Sequence, residues 1–132
     1  MIQQTLVLLK PDAVKRAIVG EIIARLERVG LRIVAMKMIL PDGKQAHAHY
    51  TWDDIGKKYG DVVQNRLLNF LVSGPIVAMI LEGDEAIAVV RKLIGATEPL
   101  QAAPGTIRGD FSHHGYALCN HKYDSVHNVI HA

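Results

Sequence analysis

The chain has 132 residues, 49% of them hydrophobic and 21% charged, a length and balance that suit one compact domain around a single core. The formal net charge is +2 with seven histidines counted as neutral, and no Lys/Arg run is long enough to mark a nucleic-acid stripe, so nucleic acid is not an indicated partner. No apolar run approaches the ~18 residues of a membrane span, and no basic segment followed by a long apolar one opens the chain, so neither a membrane anchor nor a signal peptide is indicated. One cysteine, Cys119, cannot close an internal disulfide, which agrees with a reducing compartment and an expected cytoplasmic location.

Thr5-Leu6-Val7-Leu8-Leu9 is a nearly continuous apolar run, the pattern of a central strand covered on both faces. Lys10-Pro11-Asp12 ends it. Proline cannot continue a ladder and Asp12 can cap a helix over Ala13 to Val19, so Lys10 is expected at a strand-to-helix junction with its ammonium off the sheet edge, solvated or available to a phosphate. Gly20 is read as a break. Glu21 to Val29 then sets Ile22, Ile23, Leu26 and Val29 on one helical face, opposite Glu21, Arg25 and Arg28, with Gly30 as the stop.

Leu31 to Leu40 is read as a second strand, closed by the turn residues Pro41-Asp42-Gly43. Gln45 to Tyr50 forms a short helix on this reading, with Tyr50 able to reach a charged site from its end. Thr51 to Gly60 is a loop or short helical turn. From Asp61, the spacing of Val62, Val63, Leu67, Phe70 and Leu71 predicts a helix whose apolar positions are core. Ser73-Gly74-Pro75 turns into the apolar strand Ile76 to Leu81. Gly83-Asp84 is then expected to cap a helix over Glu85 to Ile94, with Ile87, Val90, Leu93 and Ile94 inward and Arg91 toward one edge.

The proline-punctuated stretch Gly95 to Asp110 has little periodicity, and ordered loops of that kind are uncommon unless they do something. Thr97 offers a hydroxyl there, and Arg91 and Arg108 offer planar forks that match phosphate oxygens. Taken singly, each arginine reads as a solvated surface residue. Asn128 to Ile130 reads as a short buried strand that sets His131 on a rigid element, where an imidazole that is neutral and nucleophilic near pH 7 can attack a phosphorus. These elements fit an α/β (α+β) fold, a ferredoxin-like sandwich with an antiparallel four-stranded sheet and a β-α-β-β-α-β core with added short helices.

Six ordered blocks carry a resemblance across nearly the whole chain. Thr5 to Asp12, Gly20 to Ile23, Ser73 to Met79, Arg91 to Pro99, Pro104 to Asp110 and Asn128 to His131 closely resemble the nucleoside diphosphate kinase family. The resemblance implies a ping-pong transfer in which a nucleoside triphosphate phosphorylates a histidine and a nucleoside diphosphate takes the phosphoryl group away. By position, His131 matches the nucleophile. Lys10 and Asn128 match the groups that hydrogen-bond the sugar hydroxyls and terminal phosphate region, Arg91, Thr97 and Arg108 match the phosphate-binding set, and Tyr50 matches the aromatic beside the histidine. Mg²⁺ is expected as cofactor, entering on nucleotide phosphates rather than in a dedicated carboxylate cage. Nucleoside di- and triphosphates are the implied ligands, and a homo-oligomer, hexamer or tetramer, is the implied assembly.

Three departures accompany the resemblance. Between Tyr50 and Ser73 the chain is longer than the shorter family members, so the residue that stacks on the base is open among Tyr59, Val63 and Leu67. Between Asp110 and Asn128 it is longer again, and His113, His114, Cys119 and His121 there match no strong Zn²⁺ spacing, which favours a polar surface excursion. The family continues past the histidine with a tail whose glutamate orients the imidazole, whereas Ala132 ends this sequence. The expectation is a single kinase-like domain over residues 1–132 without that tail, a fragment with activity reduced or absent. The alternative is a ferredoxin-like module that binds nucleotide without turnover.

Overall fold

The computed structural model describes residues 1–49, 51–97, 99–112 and 130–131. Strand β1 (Ile2–Leu9) lies between β3 (Ile76–Asp84) and β4 (Ile130–His131), and β2 (Arg32–Ile39) adds beyond β3, giving the order β2-β3-β1-β4 with every pairing antiparallel. Between β1 and β2 run α1 (Pro11–Lys15) and α2 (Val19–Arg28), and between β3 and β4 run α6 (Ala86–Ile94) and α7 (Ile107–Phe111). The expected β-α-β-β-α-β core is therefore present. Its added pieces are α3 (Gly43–His49), a π-helical turn over Trp52–Gly56, α4 (Lys57–Tyr59) and α5 (Asp61–Leu71) between β2 and β3, and a 3₁₀ turn over Pro99–Gln101.

The central strands are covered on one face along their length and on the other only toward β4, because Leu6, expected to be covered, is 49% exposed. On one face Val7, Leu9, Val77, Met79 and Leu81 pack with Ile22 and Leu26 of α2, Val90 and Ile94 of α6, Ile107 and Ile130. On the other, Leu8 and Ile76 pack with Ala46 of α3 and Leu67, Leu68 and Leu71 of α5. Leu26 is fully buried, so Leu26→Ala would leave a cavity and destabilise by about 2–5 kcal/mol. Val29, Val62 and Ile87, expected to face inward, are exposed; Val29 follows the last residue of α2, and Val62 lies on the side of α5 opposite Leu67, Leu68 and Leu71.

Three local expectations are corrected. The first helix starts at Pro11 and stops at Lys15, because Ala17 takes a left-handed conformation (φ 58°) and the Ile18 N–H closes back on the Ala13 carbonyl at 3.1 Å. The break is there rather than at Gly20, which sits in the first turn of α2, where its N–H needs no intrahelical partner. Gly83 and Asp84 do not cap α6. They extend β3, since β1 continues to Ile2 opposite Asp84, and Glu85, at φ 52°, makes the corner into the helix. Among the described residues no helix is long and apolar enough to cross a membrane.

Candidate active site

The loop after β1 places a lysine where the chain offers it almost no water. Lys10 has extended backbone at the N-cap of α1, Pro11 sets the first helical residue, and Lys10 is only 2% exposed. The solvated reading of this side chain is thus overturned. Burial pulls its ammonium down to a pKa of about 7, the nearby Arg108 guanidinium pushes in the same direction, and Asp12 draws it partly back.

Arg108 is built in from another direction. Thr106 caps α7 by accepting the Gly109 N–H at 3.0 Å, and an added Cβ on Gly109 would stand 2.0 Å from the Ala103 carbonyl oxygen, so the turn closes only on glycine. Asp110 accepts the Gly105 N–H at 2.9 Å and pairs with Arg25 of α2 at 2.6 Å, while the Arg25 guanidinium lies 4.7 Å from the Phe111 ring centroid. Held this way, Arg108 is buried rather than solvated, and donates to the Gly95 carbonyl at 3.3 Å and the Ile130 carbonyl at 2.9 Å.

That last bond reaches the residue before His131. Strand β4 pairs with β1, His131 opposite Leu8 and Ile130 opposite Leu9. The backbone of His131 is therefore joined to both cations, to Lys10 along β1 and to Arg108 through the Ile130 carbonyl. The side chain of His131, and the whole of Tyr50 and Asn128, lie outside the described residues. So does the His113, His114, Cys119 and His121 segment.

Arg91 occupies the last turn of α6, exposed, and its carbonyl accepts the Gly95 N–H at 3.1 Å. Gly95 has φ +90°, and its carbonyl is the one that Arg108 holds. Thr97 is exposed two residues on. The segment bearing Arg91 and Thr97 is thus anchored to Arg108, and through it to the histidine strand.

A sequence profile described as "Nucleoside diphosphate kinase" matches residues 3–132. The chain belongs to the nucleoside diphosphate kinase family. A nucleoside diphosphate kinase of Borreliella burgdorferi is 48% identical over 132 residues, covering 100% of this chain and 79% of that protein. A solved structure described as a transition state mimic of nucleoside-diphosphate kinase from Borrelia burgdorferi with bound vanadate and ADP superposes with a TM-score of 0.90 at 48% identity, covering 98% of this chain and 77% of that one. A halophilic nucleoside diphosphate kinase from Halobacterium salinarum in complex with CDP gives 0.82 at 39% identity, covering 99% and 76%. As a nucleoside diphosphate kinase, the chain is a phosphotransferase.

Asp12 and His49 are two further groups whose ionisation responds to Lys10. Asp12, taken as a helix cap, makes no capping bond. It is 7% exposed, and burial raises its carboxyl to a pKa of about 6. The backbone N–H of Asp12, the charges of Lys10 and Arg16 and the Ala13 N–H draw it partly back. His49, at the end of α3, is half-buried, and both burial and the charge of Lys10 hold its imidazole toward the neutral form. The available signal for Asp12 was its place between an apolar strand and an apolar helix start, where a carboxylate has little access to water.

Proposed function

We propose that the chain moves the γ-phosphoryl group of a nucleoside triphosphate to a nucleoside diphosphate through a phosphohistidine at His131. The observation that carries this reading is the Arg108 guanidinium bonded to the carbonyl just before His131, on a strand paired beside the one that ends in Lys10. In the first half-reaction a ring nitrogen of His131 attacks the γ-phosphorus, the bond to the β–γ bridging oxygen breaks, and the nucleoside diphosphate leaves. In the second, a terminal phosphate oxygen of another nucleoside diphosphate attacks the same phosphorus and the nitrogen departs with its electron pair. Both halves need one site.

Such a transfer is mainly positioning and charge neutralisation, with negative charge spread over the equatorial oxygens. Lys10 and Arg108 supply positive charge, Arg91 and Thr97 complete the phosphate-binding set, and the family resemblance gives Asn128 the sugar hydroxyls and terminal phosphate region and Tyr50 the aromatic role beside the histidine. Mg²⁺ belongs to the reading as a nucleotide-borne ion. A hard cation of this kind would keep waters and phosphate oxygens as its ligands. When bound to phosphate it offsets further negative charge.

The ADP and CDP held by the two solved relatives support nucleotides as the ligands here. A homo-oligomer is part of the same proposal. Strand β2 is an edge that pairs only with β3 among the described residues, and it exposes Val34, Met36 and Met38, with Leu40 following. An exposed apolar edge strand invites pairing with a second copy. A cytoplasmic location completes the reading, supported by the lone cysteine.

Incubation with γ-labelled ATP tests the core of it. Acid-labile label is expected on the chain and is expected to vanish in His131→Gln while nucleotide binding persists. Nucleotide binding without any label on the unaltered chain would instead establish the binding module.

A further inference from the structure

We propose that Arg25 of α2 is a positioning residue for phosphotransfer, holding α7 through Asp110 so that Arg108 keeps its place at the histidine strand. The inference deepens the proposed function and rests on the reading that Arg108 meets nucleotide phosphate.

Helix α7 cannot hold itself in place. It has five residues, and a helix that short does not stand alone in water, because its first turn fixes several residues for one hydrogen bond. Its own bonds are local. The Gly109 N–H goes to the Thr106 hydroxyl, the Asp110 N–H to the Thr106 carbonyl at 2.9 Å and the Ser112 N–H to the Arg108 carbonyl at 2.9 Å. These set its shape and leave its seat to contacts with other segments. Ile107 enters the core and Phe111 packs against it, which fixes the depth of the helix but resists sliding weakly, since apolar contact is non-directional.

Apart from the bonds of Arg108 itself, α7 gains a directional tie from the Asp110 carboxylate. One oxygen accepts the Gly105 N–H at 2.9 Å, closing the turn before α7 onto the helix, and the other meets the Arg25 guanidinium at 2.6 Å. Arg25 also stands 4.7 Å from the Phe111 ring centroid, within cation–π range, so one side chain grips two successive residues of α7. Buried Ile22 and Leu26 fix the helix of Arg25 on the core. Residues two apart on a helix do not face each other, so the pair acts on Arg108 through the backbone of α7.

The Arg25 and Asp110 side chains are 27% and 30% exposed, and an ion pair that open to water adds little to stability. Reaction geometry is less forgiving, since a misplacement of about 1 Å can slow a reaction about 100-fold. One bond thus matters little for folding and much for turnover.

The experiment measures kcat/KM for phosphotransfer by the full chain carrying Arg25→Gln, in the parent and in an Arg108→Ala background. A loss of about tenfold is expected in the parent, with no further loss once Arg108 is gone and with the urea midpoint unmoved. Arg25→Lys, which keeps a charge for Asp110, is expected to regain most of the rate. Asp110→Asn cuts the same pair and leaves an oxygen for the Gly105 N–H, so it is expected to match Arg25→Gln and replaces it should that variant not fold. The same fall in both backgrounds, or no recovery with lysine, would make Arg25 a packing residue and overturn the proposal. If Arg108→Ala itself leaves kcat/KM unchanged, Arg108 does not meet phosphate and the underlying reading fails. If Arg108→Ala is slow while Arg25→Gln keeps the full rate, only the present proposal fails.

Discussion

The two ends of β1 carry charge in opposite ways. At its start, the Met1 ammonium pairs with Asp84 and Glu85, and Glu82 is shared by Gln4 and Arg32, all at an exposed edge. At its finish, Lys10 and Asp12 are buried at the junction with α1, and Arg108 is buried on α7. Exposed pairs are satisfied and contribute little, because water competes and long side chains lose freedom. The buried cluster does the reverse, lowering stability because its charges are held out of water. On the proposed function, the exposed pairs mark the inert end of this strand and the buried charges mark the working end.

The sharpest break of that contrast is Arg108→Ala. Steady-state assays should show kcat/KM for phosphotransfer lowered roughly a hundredfold or more, the usual scale for losing one fixed donor at a developing charge. A variant within a few-fold of the parent would place the phosphate elsewhere.

Gly109→Ala follows. Its Cβ would stand 2.0 Å from the Ala103 carbonyl oxygen, so the backbone of α7 must shift. Denaturant unfolding should show a loss of about 3 kcal/mol, the upper end for overpacking, with phosphotransfer falling as Arg108 moves.

The buried lysine makes stability depend on pH with a definite sign. Its folded pKa, about 7, lies below the ordinary 10.5, so between those values the unfolded chain binds more protons and stability rises with pH. From pH 7 to 9 the rise assigned to Lys10 is roughly 2 kcal/mol. Urea titrations at the two pH values should show that increment in the parent and lose it in Lys10→Met. Asp12 acts oppositely and lower down: raised from 3.8 to about 6, it makes stability fall as pH climbs through that interval.

Arg32→Ala should do least. Its pair with Glu82 is exposed on the arginine side, and neither the unfolding midpoint nor kcat/KM should move measurably. A clear loss of activity would erase the distinction between the two ends.

Much of the architecture was legible because hydrophobic periodicity is local. The runs at Val7 to Leu9 and Ile76 to Leu81 announced central strands, and the spacing of Ile22 and Leu26 announced a helix face. Boundaries were harder. Asp84 joined a strand because Ile2 lies opposite it, a pairing 82 positions away that no local pattern encodes. Gly20 read as a break although the left-handed residue was Ala17, an alanine that propensity would never nominate.

The candidate site divides in the same way. Residue order alone set the chemical inventory, a strand-end histidine, a lysine before a proline and two arginines around a glycine-rich stretch, since side-chain chemistry comes with the residue and motif order survives without coordinates. Only the tertiary structure decided that Lys10, Asp12 and Arg108 are buried and that Arg108 holds the carbonyl before His131. Burial and proximity arise where segments distant in sequence exclude water together, and a pKa responds to that exclusion rather than to the letter at its position.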